Sequence, residues 1–468
     1  MRSLLIVFYC LVSALTIKAN GQDRLWKIQT TDYHGTYYGA TVANGGIGIL
    51  PWKEPFSIRH VMLNHVFDSA TPQDVSRVLR GINPFNLQMQ INGQTVNGDN
   101  ISGWEQCIDM KEATHNTHFT CDGKADVSYS ICALRNLPYA GLVRVEVTAL
   151  GDMYLTVSNP IEVPDEYKNI GSKLVNVNVN GNDIKIVRTW ALSKHREQKV
   201  SASSAFIYDK NSNVQQQYNG NGQISIPLKK GEKFFFTLLG AVCTGRDFID
   251  PYNEADREVI YGAKEGLARL MDGHQKLWDE MWKGDIVIEG DDEAQRAVRF
   301  ALYNLYSNAR KGSRLSIPPF GLSSQGYNGH IFWDTEFWMY PPMLFMNQGI
   351  ARTMMDYRTD RLEAACQKAL SYGYDGAMFP WESDDAGEEA CPTWALTGPF
   401  EHHITADIAI AAWNYYCMSG DQRWLREEGF PLMEKVAEFW VSRVEKNDDG
   451  SYSIRNVVCA DEYAEGDD

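Results

Sequence analysis

The sequence has no CxxC pair, no basic stripe and no long acidic tail, and beyond its N-terminal segment no apolar run of membrane-spanning length. Each absence excludes a class. Zinc ribbons and c-type haem sites need closely spaced cysteines. Nucleic-acid binding needs clustered Lys and Arg to neutralise phosphates. Here 44 basic residues face 60 acidic ones, for a net charge of −16, so nucleic acid is excluded as a partner. A bilayer-spanning helix needs about 20 consecutive apolar residues. A neutral small molecule suits this surface best.

What is there begins at the N-terminus. Arg2 precedes an apolar run from Leu4 to Leu15, broken by Ser13, and Ala19-Asn20-Gly21 puts small residues around a cut before Gln22. This predicts a signal peptide over residues 1–21. The protein is then exported, periplasmic or secreted, with no membrane insertion after cleavage. Of the eight cysteines beyond the cut, Cys107, Cys121 and Cys132 are near enough in sequence for a disulfide, and buried free thiols fit equally well. The chain is rich in aromatics, with 13 Trp, 23 Tyr and 19 Phe. Aromatic rings stack on the C–H faces of sugars, and they also fill large cores.

Two patterns divide the chain. From Leu25 to Val242 short strands alternate with Asn/Gly turns. Val143–Thr148 and Val175–Val179 alternate apolar and polar, Asn180-Gly181 and Asn92-Gly93 supply tight turns, and Phe234–Leu239 reads as a strand buried on both faces. Such a run predicts a β-sandwich. From Glu254 to Trp282 the spacing is helical, and after the apolar segment Ile286–Ile288 helices are predicted over 292–310, 335–347, 349–372, 403–418 and 431–446. The 403–418 helix is apolar on most sides, which predicts burial between other helices. The expected domains are a sandwich over 22–252, a helical linker over 253–285 and a helical domain over 286–468. Long loops over 312–333 and 373–401 are rich in Gly, Pro, Trp and carboxylates, a composition typical of functional loops.

Three clusters carry candidate chemistry. They are His330-Ile331-Phe332-Trp333-Asp334-Thr335-Glu336, then Phe379-Pro380-Trp381-Glu382-Ser383 with Gly387-Glu388-Glu389, and finally Asp461-Glu462-Tyr463-Ala464-Glu465. Trp beside a carboxylate suits sugars: the ring covers an apolar face while the carboxylate accepts from adjacent hydroxyls. Asp334 could equally cap the following helix, and Trp381-Glu382 could staple a loop. By composition alone Asp461-Glu462 reads as a solvated loop. His402-His403 precedes the apolar helix, where a cap or a packed histidine is as natural as a ligand. The run Asp384–Glu389 lacks the ligand spacing of a calcium loop and reads as solvated or helix-capping.

The order Gly329–Glu336, Tyr372-Gly373, Pro380–Ser383, Gly387–Glu389 and His403-Ile404-Thr405-Ala406-Asp407-Ile408-Ala409 resembles glycoside hydrolase family 65. The match runs over Gly321–Asp468, and the β region before it fits in kind. The resemblance implies an antiparallel β-sandwich followed by the first part of an (α/α)6 barrel. It implies that Glu462 matches the family's general acid, although Cys459-Ala460 stands where the family usually has Gly-Pro. It also implies that Trp333, Asp334, Trp381 and Glu382, with His403, bind the non-reducing glucosyl unit. No metal or cofactor is implied, and a homodimer is left open.

Family members divide by what attacks the anomeric carbon. Inverting hydrolases use a carboxylate base, roughly 6.5–9.5 Å from the acid, to activate water, whereas phosphorylases bind phosphate there. In the family both features lie downstream of the acid. Export and the wording Trp333–Pro341 favour an inverting, exo-acting α-glucoside hydrolase of the kojibiose (α-1,2) type. A disaccharide phosphorylase and a non-catalytic carbohydrate-binding protein are the alternatives. Residues 22–468 alone are expected to be inactive and poorly soluble, with Glu462 acting from a semi-buried site among carboxylates.

Overall fold

A computed structural model of the chain describes residues 23–69, 75–179, 181–209 and 211–462. The predicted signal peptide, the turn residue Asn180 and residues 463–465 of the third cluster lie outside the described residues.

The first half is antiparallel β structure. Nine strands form one sheet in the spatial order Lys27–Thr30, Ile101–Asp109, Thr114–Cys121, Ala125–Ala133, Ala140–Ala149, Lys233–Thr244, Lys199–Tyr208, Asn182–Ser193 and Tyr167–Val179. A five-stranded sheet built around Met153–Asn159 and a four-stranded sheet (Val42–Ala43, Ile47–Pro51, Ile58–Ser69, Ser76–Gly81) share an apolar core with it. The turn between Gln88–Ile91 and Gln94–Thr95 has Asn92 at φ 52 and Gly93 at φ 81. Both are left-handed, as a two-residue hairpin with right-handed twist requires.

The strand Lys233–Thr244 shows how period-two alternation serves two layers. Phe234, Phe236 and Leu238 point into the sandwich core. Leu239 and Ala241 point to the other side, where they meet Val259 of helix α1 (Pro251–Glu265) and Leu270 of α2 (Leu267–Met281). The helices stop short of Phe235, which is 42% exposed. The expected two-faced burial therefore holds only for the later part of the strand. The single helix expected over Glu254–Trp282 is broken at Gly266, whose φ of 82 and ψ of 151 are open to glycine but not to side chains.

The rest is helical: α3 (Asp292–Asn308), α4 (Tyr340–Met346), α5 (Gln348–Thr359), α6 (Leu362–Ser371), α7 (Thr397–Phe400), α8 (His403–Ser419), α9 (Gln422–Trp424) and α10 (Phe430–Arg443). The predicted helix 335–347 opens as a π turn over Thr335–Met339, closed by Tyr340 N–H on the Thr335 carbonyl. Pro341 and Pro342 lack N–H donors and sit in the first turn of α4, the place a helix tolerates them. The predicted helix 349–372 is two helices. Arg314 holds Asp360 (Nε–Oδ2 2.7 Å), and Arg361 donates to the Tyr357 carbonyl at 3.0 Å and the Asp385 carbonyl at 2.7 Å, which turns the chain. Helix α8 buries Ile404, Ile408, Ala411, Ala412 and Tyr415. Its Ile410 and Trp413 are exposed, so burial covers one side of the helix, not most sides as expected. All eight cysteines among the described residues are free thiols.

Candidate active site

The two long loops meet and pair. Ile331 and Ser383 exchange backbone hydrogen bonds, each 2.9 Å. This brings His330–Asp334 beside Trp381–Glu382. The approach to the first cluster is unusual: Tyr327, Asn328 and Gly329 are successively left-handed, with φ of 47, 54 and 75. Such strain in two non-glycine residues persists only where surroundings enforce it. Arg77 Nε donates to Asn328 Oδ1 at 2.8 Å, and a Cβ on Gly329 would lie 2.4 Å from Val78. Both partners belong to the strand Ser76–Gly81, so the sandwich moulds this loop.

The second loop is stapled by Glu389. Its Oε2 accepts from the backbone N–H of Trp381 at 2.8 Å, and its Oε1 from those of Glu382 at 3.0 Å and Cys391 at 3.2 Å. Lys368 Nζ, 2.6 Å away, balances its charge. Asp384 corrects the expectation of a solvated or helix-capping run. It is buried, accepts from the N–H groups of Ala386 and Glu388 and from the Ser76 hydroxyl, and pairs with Arg196 of the sandwich at 3.4 Å. The sequence did not announce this because Ser76 and Arg196, which bury and balance it, lie 308 and 188 residues away.

Trp333, Asp334, Trp381, Glu382 and His403 gather in one place, whereas His402 packs apart, against Tyr374 and Phe439 and with Arg443 donating to its Nδ1. Trp381 packs with Phe332 and Cys391, with Trp333 at the edge of that cluster. His403, the first residue of α8, stands edge-on to Trp333 (centroids 4.8 Å, 89°) and to Trp381 (5.9 Å, 76°). Both its nitrogens are engaged, Nδ1 with Asp407 Oδ2 at 2.7 Å and Nε2 with Glu401 Oε1 at 2.9 Å. It therefore spaces two indoles and two carboxylates. Glu401 and Asp407 were not singled out from the sequence, although the four-residue helical spacing of His403 and Asp407 was a usable signal.

Glu462 reaches the same place from the C-terminal side. Arg443 donates to the Arg455 carbonyl, and Val458 N–H donates to the Phe400 carbonyl at 3.0 Å, laying the tail along the start of α8. The Glu462 side chain is exposed, not semi-buried. Its charge still bears on two neighbours. Burial pushes the Asp334 carboxyl above its ordinary range, its own backbone N–H pulls it back, and Glu462 adds to the rise. The Glu401 carboxyl is raised by burial, pulled back by His403 and pushed up again by Glu462. Glu382 is raised by burial, against the pull of His330.

His403 yields a pH prediction. Burial opposes its charge, but hydrogen bonds and attraction from Asp407 and Glu401 prevail and lift it from 6.5 to about 9. A raised folded-state pKa means that the stabilisation is complete below the unfolded value and lost as pH rises through about 9. The thermal midpoint of the native protein should exceed that of His403→Gln by a margin that is full below pH 6.5, shrinks as pH rises towards about 9 and is gone above it. A constant margin from pH 6 to 10 would contradict the assignment.

A β-sandwich followed by helices, with Trp–carboxylate pairs on meeting loops, defines the architecture of a carbohydrate-active enzyme. The chain belongs to glycosyl hydrolase family 65: residues 39–281 match the family's N-terminal domain and 299–468 its central catalytic domain. It is 42% identical over 440 residues to a kojibiose hydrolase of Flavobacterium johnsoniae (92% of this chain, 65% of the relative) and 38% identical over 466 residues to one of Mucilaginibacter mallensis (98% and 69%). A kojibiose phosphorylase of Thermoanaerobacter brockii is 39% identical over 223 residues, 45% of this chain and 29% of that one. The chain thus spans about two thirds of the curated hydrolases it matches. A solved structure assigned to a kojibiose phosphorylase of the human microbiome superposes with TM-score 0.78 at 16% identity, covering 94% of this chain and 62% of that one, and so shares the fold.

Proposed function

We propose that the protein containing this chain is an inverting, exo-acting hydrolase that releases glucose from α-1,2-linked glucosides such as kojibiose, with Glu462 as proton donor. The observation that carries the reading is similarity to two kojibiose hydrolases over more than nine tenths of the chain. The matches to kojibiose phosphorylases cover about half of it.

In this reading Trp333-Asp334 and Trp381-Glu382 seat the terminal glucose. His403 holds the two indoles apart, and Glu462 protonates the leaving oxygen as the glycosidic bond breaks. Water attacks the opposite face, activated by a base for which Glu401 and Asp407 are poor choices, since His403 occupies both. We place that base in residues following Asp468, and expect residues 22–468 alone to be inactive. Export by the N-terminal segment belongs to the same proposal.

The test is incubation of the full-length protein with kojibiose, nigerose, maltose and trehalose, with and without phosphate. Glucose from kojibiose without phosphate is the expected product. Glucose 1-phosphate formed only with phosphate would establish the phosphorylase alternative instead, and binding without turnover would establish a carbohydrate-binding protein.

A further inference from the structure

We propose that His330 and Glu382 hold one shared proton, and that His330 is the positioning residue through which the β-sandwich fixes Glu382 in the sugar site. The role in the sugar site rests on the reading of Glu382 given above. The proton assignment rests on hydrogen-bond geometry alone.

His330 is completely buried. Its Nε2 lies 2.8 Å from the backbone carbonyl oxygen of Ser76. A carbonyl can only accept, so Nε2 carries a hydrogen. The Ser76 hydroxyl, 3.2 Å from Nε2, spends its own proton on Asp384 Oδ2 at 3.1 Å and leaves only lone pairs toward the ring. This fixes one end of the imidazole.

The other end, Nδ1, is 2.7 Å from Glu382 Oε2. With Nε2 already protonated, a bond of that length needs one proton between the two atoms. Either an imidazolium donates to a carboxylate, or a carboxylic acid donates to a neutral ring. The pair is net neutral in both cases. Removing the proton would set two lone pairs face to face in a dry interior, which is strongly unfavourable.

Around the pair, charged groups are balanced by partners of their own. Phe67 stacks flat on the His330 ring (5.6 Å, 9°) and closes one face. The charged groups nearby have their own partners: Asp384 has Arg196, Glu389 has Lys368, and Arg361 lies over the Tyr357 ring and donates to backbone carbonyls. The nearby His65 ring donates from Nδ1 to Asn64 Oδ1 at 2.8 Å, and burial, with Arg361 and Arg246, holds it well below its ordinary range. The Cys391 sulfur lies 3.1 Å from the Thr397 hydroxyl, and Cys391 favours the charged form of Glu382. Held at Oε2 by His330, Glu382 keeps one rotamer, with its remaining acceptor capacity left for a sugar hydroxyl. Ser76 lies on the four-stranded sheet, so the sandwich sets the position of a sugar-binding carboxylate.

The test uses the full-length protein labelled with ¹⁵N-histidine, the His330 signals being identified by their loss in His330→Asn. The expected spectrum shows hydrogen on Nε2, with one further hydrogen lying between Nδ1 and Glu382. In Glu382→Gln the amide takes over as donor to Nδ1, and His330 should remain a neutral ring protonated at Nε2. In kinetics, His330→Asn should raise KM about tenfold or more, the worth of a hydrogen bond to a charged group, with a much smaller change in kcat. Hydrogen found on Nδ1 with Nε2 bare, or no hydrogen between Nδ1 and Glu382, would overturn the proposal. The spectra require no turnover, so a wild-type protein that cleaves no glucoside would overturn the functional reading while the spectra still decide the proton.

Discussion

Replacing Glu462 by Gln in the full-length protein is expected to lower kcat on kojibiose by about 10²–10⁴-fold, the usual contribution of a general acid, with little change in KM. Glutamine keeps the size and polarity of the side chain but has no acidic proton. A sugar alkoxide is a poor leaving group, so bond breaking depends on that proton. An aryl α-glucoside leaves as a stable phenolate and needs it far less, and the variant's loss should be much smaller on such a substrate. The same defect on both substrates would point to lost binding or folding. Near wild-type turnover of kojibiose would remove Glu462 from the role. Its exposure fits a residue whose partner is substrate: among the described residues it closes no ion pair, yet its charge reaches Asp334 and Glu401.

The parts of the fold that local pattern encodes were legible. Alternation predicted the strand Ala140–Ala149, and Asn-Gly predicted the hairpin at Asn92-Gly93. Helical spacing located α8 and α10 within a few residues. The breaks at Gly266 and Asp360 were missed for different reasons. Gly266 carried a local signal that was overlooked. Asp360 ends its helix because of Arg314, a tertiary partner that periodicity cannot reveal. The site divides in the same way. Trp333-Asp334 and Trp381-Glu382 stood out because aromatic and acidic residues adjoin in long loops. Ser76, which seats His330, gave no sign, since its contact spans 254 residues and uses a backbone carbonyl that every residue possesses. Asp384 was misread because an acidic run looks solvated until its buried donors are known.

Removing either partner of the Glu336–Arg358 pair should cost about 3–5 kcal/mol, because a buried charge is left without its counter-ion. Arg358 Nε and Nη2 each donate to a Glu336 oxygen at 2.8 Å, and both side chains are essentially inaccessible. Burial works against the Arg358 charge, but Glu336 outweighs it and holds the guanidinium above its ordinary range. Arg358→Ala or Glu336→Ala should lower the urea midpoint sharply, and a loss under about 1 kcal/mol would contradict the argument. The double variant Glu336→Leu/Arg358→Met separates stability from function. Buried ion pairs often contribute no more than apolar residues of similar volume, and here Arg358 Nη1 is buried without a partner. The double variant should therefore recover most of the lost stability. It should not recover activity. Arg358 Nη2 also donates to the Phe332 carbonyl at 3.2 Å, and Glu336 sits in the π turn that follows Asp334. The pair thus fixes both ends of the Trp333-Asp334 segment, and a stable double variant with a raised KM would show that this buried charge is retained to place the sugar-binding loop.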